Sequence, residues 1–149
     1  MFDLKDLYQE VIVDHNRSPR NFGELGPPGR KLEGFNPLCG DRLTLYLDQD
    51  GDRIADIKFN GSGCAISIAS ASLMTEGVKG KSVREAETVF AGFHELLTCA
   101  DLDIDMTRMG KLAVLAGVRD YPSRVKCATL CWHTLHALLA GDEAPVSTE

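Results

Sequence analysis

Three short turn-like segments, each carrying a cysteine, constrain this chain more than any other feature. They are Asn36-Pro37-Leu38-Cys39-Gly40-Asp41, Gly61-Ser62-Gly63-Cys64 and Arg124-Val125-Lys126-Cys127. Strand pattern follows the first and precedes the second, and helix pattern follows the second and third. A fold that brings the three together would gather three soft thiolates and one hard carboxylate, Asp41. That is one four-donor set suited to zinc, which accepts sulfur and oxygen in a tetrahedral site. Taken singly, each cysteine reads better as a small buried hydrophobe. No C-x-x-C pair is present, so a zinc-ribbon reading does not apply.

Position sharpens two of the three. Cys39 and Asp41 are two apart, so an extended backbone puts them on one face, and Gly40 lets the chain turn tightly between them. Cys64 follows Gly63 and opens a helix, where a thiol has a lowered pKa and is available as ligand or nucleophile. Cys127 is expected in the first turn of the last helix, with the same benefit. Cys131 falls on the apolar stripe of that helix and reads as core. Cys99, at a helix end beside an acidic loop, reads as incidental. His133 and His136 read as a polar or half-buried face, and His15 and His94 have no motif around them. Arg124 and Lys126 read as surface charge or as compensation, since three thiolates and a carboxylate around Zn²⁺ leave a formal excess of two negative charges.

The chain has 149 residues, which predicts one domain over 1–149, with 142–149 as a flexible tail. Hydrophobic content of 44% and charged content of 26% are ordinary for a globular chain that forms a core without staples. The formal net charge of -6 lacks the basic footprint of a nucleic-acid binder. No run approaches the roughly 20 apolar residues that span a bilayer, so no membrane role is expected. Met1 to Glu10 shows no signal-peptide pattern, and the expected location is cytoplasmic. Five cysteines, an odd count, argue against a disulfide framework and toward metal or thiol chemistry.

Taken in order, Leu4, Leu7, Tyr8, Val11 and Ile12 give helical spacing over residues 2–15. Residues 16–28, rich in proline and glycine, predict a loop; its segment Asn16 to Phe22 reads as a solvated connector or a docking segment. Residues 30–36 are ambiguous, with a short edge strand as one reading. Leu43, Leu45 and Leu47 alternate with polar positions, Asp50-Gly51 signals a hairpin, and 54–59 reads as the return strand. Ile66, Ala69, Leu73 and Met74 predict a helix through Glu76, rich in small residues. Ser82 and Glu85 have capping-box spacing before another helix. Residues 98–107 form an acidic loop with Asp101, Asp103 and Asp105, whose pattern does not match a calcium loop. Helices are expected over 109–118 and 124–140.

Cys39-Gly40-Asp41, then Gly61 to Ser67 running into Ala69-Ser70-Ala71-Ser72-Leu73-Met74-Thr75, then Lys126-Cys127-Ala128-Thr129-Leu130 resemble the IscU/NifU-like iron–sulfur assembly family over nearly the whole chain. Lys126, where scaffold-type members carry a histidine, and a longer segment at about residues 91–110 make the chain look like the SufU branch. The resemblance implies an α+β fold with a three-stranded antiparallel sheet and helices packed mainly on one face. It implies zinc bound by Cys39, Asp41, Cys64 and Cys127. It implies a sulfurtransferase that accepts persulfide sulfur on Cys39 from a SufS-type cysteine desulfurase and hands it toward downstream iron–sulfur assembly proteins. In that branch a histidine of the desulfurase can replace the Cys39 thiolate on zinc and free it to attack. The alternative is a scaffold that holds a transient iron–sulfur cluster, against which Lys126 speaks, because lysine is no ordinary cluster ligand.

Overall fold

The computed structural model describes residues 4–26, 29–37, 39–98, 112, 115, 118, 121–141 and 144–147, with side chains from residue 9 onward. The elements run α1 (Leu4–Arg17), β1 (Arg30–Asn36), β2 (Asp41–Asp50), β3 (Arg53–Ser62), α2 (Ala65–Val78), α3 (Val83–Thr98), α4 (Pro122–Leu139) and β4 (Val146–Ser147). Cys99, the stretch with Asp101, Asp103 and Asp105, and most of the helix expected over 109–118 lie outside the described residues. Of that helix, Leu112, Leu115 and Val118 are described, and all three are buried in the core.

The α+β class holds, but the sheet differs from the expected three antiparallel strands. It has four strands in the order β3-β2-β1-β4. The first two pairings are antiparallel, and β4 lies parallel to β1, with Gly34 opposite Val146 and Phe35 opposite Ser147. The segment expected to fray thus contributes a strand. At two residues it is too short to show period two in sequence. It also places β1 between two strands rather than at an edge.

Alternation builds the rest of the sheet. Leu43, Leu45 and Leu47 of β2 and Ile54, Ile57 and Phe59 of β3 are all buried, while the residues between them are exposed or half-buried. Burying each such side chain contributes about 1.5–3 kcal/mol. Asp41 stands at the head of the same inward row. At the β2–β3 turn, Asp50 pairs with Arg53, leaving a two-residue loop. Gly51 takes its first position with φ 61°, a left-handed conformation that glycine adopts without steric cost.

Helix α2 is buried on most sides. Its alanines and serines allow close approach to α1 and α4, and Ser70 Oγ donates to the Ala128 carbonyl. Helix α4 lies on β1 and β2. It approaches so closely that a Cβ on Gly34 would collide with Thr134 Oγ1. Helix α3 opens with the expected reciprocal cap, Glu85 N–H to Ser82 Oγ at 3.1 Å and Ser82 N–H to Glu85 Oε1 at 3.3 Å. It packs Phe90 and Phe93 against the buried Trp132.

The connector after α1 is more than a solvated link. Phe59 N–H donates to Asn21 O and Gly23 N–H to Phe59 O, covering the outer edge of β3. Ser72 Oγ accepts the Arg20 N–H at 2.8 Å and lies 2.7 Å from Nδ1 of the buried His15. Among the described residues, no helix is long and apolar enough to cross a membrane.

Candidate metal centre

The β1–β2 loop is four residues long, closed by the Asn36–Asp41 pair. Gly40 donates its N–H to Asn36 O at 2.9 Å and has φ 73°, so the chain reverses sharply after Cys39. Cys39 is left exposed at the tip. Asp41, one pleat into the return strand, is 1% exposed.

Asp41 meets the start of α2. Cys64 is the N-cap of that helix, with φ -70° and ψ 165°, and its N–H donates to Asp41 Oδ1 at 2.8 Å. The positive end of the helix favours the carboxylate there. Asp41 Oδ2 lies 3.8 Å from Cys64 Sγ. That sulfur also accepts the Ser67 N–H at 3.4 Å, which closes the first turn.

Cys127 arrives from the third direction, but not where the sequence placed it. Pro122 opens α4, a position that suits proline because its missing N–H has no helical partner to lose. Cys127 is therefore the sixth helical residue, in the second turn, away from the free N–H groups. Its thiol is pushed up rather than down, by burial first and then by hydrogen bonds with Asp41 and Cys39 and the nearby Cys64. Arg124, one turn before it, is exposed. Its guanidinium is held more firmly protonated by the Cys64 sulfur first and then by Cys127.

These elements bring Cys39 Sγ to 3.4 Å from Cys127 Sγ. The donor atoms of Cys39, Asp41 and Cys127 all lie within 4.8 Å of one another. Tetrahedral ligands at zinc distances stand roughly 3.3–3.8 Å apart, a spacing the Cys39–Cys127 pair meets, with Asp41 close enough to complete three donors. The electrostatics fit as well, because a cation would relieve the Cys127 thiol that burial and its acidic neighbours push up. Cys64 stands outside the mutually close trio, beside Asp41, with its sulfur on the helix N–H. Among the described residues, no other group of His, Cys, Asp and Glu side chains converges in this way.

Cys131, His15, His133 and His136 stand outside this cluster. Cys131 is 1% exposed, 3.5 Å from Ser70 Oγ, and burial pushes its thiol up to about 12. His133 is half-buried and His136 exposed, as their face of α4 suggested. His15, which has no motif around it, is buried against Ser72. Only its spacing on the apolar side of α1, at i+4 from Val11, hints at that.

Comparison with known proteins places this geometry in a family. The profile described as NifU-like N terminal domain matches residues 7–128. The chain belongs to that NifU-like family. Among its relatives is the Bacillus subtilis (strain 168) protein named zinc-dependent sulfurtransferase SufU, 41% identical over 141 residues, covering 95% of each chain. Another is the Streptococcus pyogenes serotype M1 protein named iron–sulfur cluster assembly scaffold protein IscU, 41% identical over 133 residues, covering 89% of this chain and 82% of the relative. The NifU-like fold also matches the crystal structure of a proposed scaffold protein for the SUF system from Fervidobacterium islandicum AW-1. That match has a TM-score of 0.79 at 37% identity and covers 85% of this chain and 92% of the other.

Proposed function

We propose that this chain is a zinc-dependent sulfur-transfer protein. It accepts persulfide sulfur on Cys39 from a SufS-type cysteine desulfurase and passes it toward iron–sulfur cluster assembly in the cytoplasm. The observation that carries this reading is an asymmetry among the clustered donors. Cys39 is exposed on a loop tip, whereas Asp41 and Cys127, its neighbours in the cluster, are buried. One sulfur can be reached by a partner while the other donors hold their places. The likeness to the Bacillus subtilis protein, over 95% of both chains, supports the same reading.

Cys39, Asp41, Cys64 and Cys127 would hold the ion. Zinc bound there would keep the thiolates deprotonated at neutral pH. The Cys39 thiolate then attacks the outer sulfur of the desulfurase persulfide. A new S–S bond forms at Cys39, the old S–S bond breaks, and its electron pair leaves on the desulfurase cysteine. Asp41 and Cys127 keep the loop's return strand and α4 in register beneath it.

A scaffold reading has its own support in the likeness to the Streptococcus pyogenes protein. Lys126 preceding Cys127 argues for transfer, since lysine is no ordinary cluster ligand. The deciding experiment measures desulfurase turnover of free cysteine with a SufS-type partner, with metal content determined in parallel. Stimulation that needs about one zinc per chain and vanishes in Cys39→Ala is the expected result. No stimulation, with a stable and transferable cluster assembled on the metal-free chain, would establish the scaffold instead.

A further inference from the structure

We propose that Gly63 is a positioning residue for Asp41: the absence of a side chain at 63 is what seats the carboxylate against the start of α2 and sets how it faces the thiols. This rests on the zinc-site reading above and deepens it.

The reason is space, not backbone conformation. Gly40 and Gly61 have positive φ, and Gly63 is not among the glycines that do. A Cβ built on Gly63 would stand 2.6 Å from Asp41 Oδ1, 3.1 Å from its Cγ and 3.2 Å from its Cβ. All three nearest atoms belong to that one side chain. A methyl group at 63 therefore meets the Asp41 side chain before anything beyond its chain neighbours.

Asp41 has no free direction in which to yield. It is 1% exposed, and its Oδ1 is held at 2.8 Å by the N–H of Cys64, the residue peptide-bonded to Gly63. Displacing Oδ1 from that N–H must turn the whole planar carboxylate, because an aspartate has only two side-chain torsions. Oδ2 would then leave its place 3.8 Å from Cys64 Sγ, and the carboxylate oxygen within 4.8 Å of the Cys39 and Cys127 sulfurs would move as well. The hard donor would be lost from the set while the thiols stayed.

The test is a double-mutant cycle on Gly63→Ala and Asp41→Ala, with exposed Ser62→Ala as the neighbouring control. Zinc affinity is read by competition with a chromophoric chelator. The visible absorption of the cobalt(II)-loaded chain reports the ligand set, and urea unfolding of the metal-free chains reports the collision directly. Gly63→Ala is expected to weaken zinc binding by about 10–100-fold, the range for losing a group that orients a ligand. Its cobalt spectrum should resemble that of Asp41→Ala. In the Asp41→Ala background, adding Gly63→Ala should change affinity and unfolding far less than in the wild type, since only the 3.2 Å approach to Cβ remains. Wild-type affinity and spectrum in Gly63→Ala would overturn the proposal, as would equal losses in both backgrounds. Should Gly63→Ala fail to fold, the double variant is expected to fold as Asp41→Ala does; a double variant that also fails would overturn it. If the wild-type chain binds no zinc, the zinc reading falls by itself, and absence of coupling in the metal-free cycle still counts against Gly63.

Discussion

Oδ1 of Asp41 accepts the backbone N–H of Cys64 at 2.8 Å, which ties the first residue of β2 to the N-cap of α2. Asp41→Ala removes that acceptor and strands a partly buried donor. The metal-free chain is expected to lose about 1–3 kcal/mol in urea unfolding. Asp41→Asn keeps a carbonyl acceptor in the same shape and should lose less, while both variants lose zinc affinity. An alanine variant as stable as wild type would show that the bond does not hold the two elements together.

Cys39 and Cys127 lie 3.4 Å apart at sulfur yet differ in environment. Replacing the exposed Cys39 by alanine should change metal-free stability by no more than about 0.5 kcal/mol, as for other exposed positions. Mass spectrometry after incubation with a loaded desulfurase should find no persulfide on that variant. Cys127→Ala leaves a small buried void and should cost about 1 kcal/mol or more. The two effects separate reactivity from packing, and a large folding defect in Cys39→Ala would contradict the separation.

His133 is half-buried between α3 and α4, where Phe90 is flanked by His94, His133 and His136. Burial lowers its pKa from the ordinary 6.5, and the neighbouring His94 and His136 lower it further. The unfolded chain therefore takes up this proton first as pH falls. Stability is fully present above 6.5 and declines as pH drops from there through the lower folded-state value. His133→Gln should flatten the melting-temperature profile below pH 6.5, in thermal scans of the metal-free chain. An unchanged slope would assign the effect to other groups.

Ser72 holds the connector to α2, through Arg20 N–H at 2.8 Å and His15 Nδ1 at 2.7 Å, in a site where Ser72 and His15 are both buried. Ser72→Ala removes one partner from each of these groups and should cost about 1–3 kcal/mol. Hydrogen exchange should then quicken at Arg20 and at Phe59, whose N–H bonds to the strap at Asn21 O. Protection unchanged at both would mean that the strap is held elsewhere.

By itself the sequence determined what depends on neighbours a few residues apart. Leu43, Leu45 and Leu47 declare their strand by alternation, Asp50-Gly51 its turn, and Ser82 with Glu85 the start of α3. The placement of Cys64 at the head of α2 is legible in the same way, because caps and pleats are decided within a turn of chain. The order of the three cysteine-bearing turns also identifies the family without coordinates.

Tertiary structure alone decided the rest. It added β4 to the sheet, through a parallel pairing with β1 that two residues cannot announce. It buried Cys127 against Asp41 and Cys39, raising the thiol that a first-turn position would have lowered. It set one oxygen of Asp41 on the Cys64 N–H. The physical reason is separation along the chain. Asp41 meets Cys64 across 23 residues and Cys39 meets Cys127 across 88, so their distances are set by how the sheet and helices pack. Gly63 shows the difference most clearly: in the sequence it is one of two glycines ending a strand, and only the folded chain reveals that its missing side chain is the space Asp41 occupies.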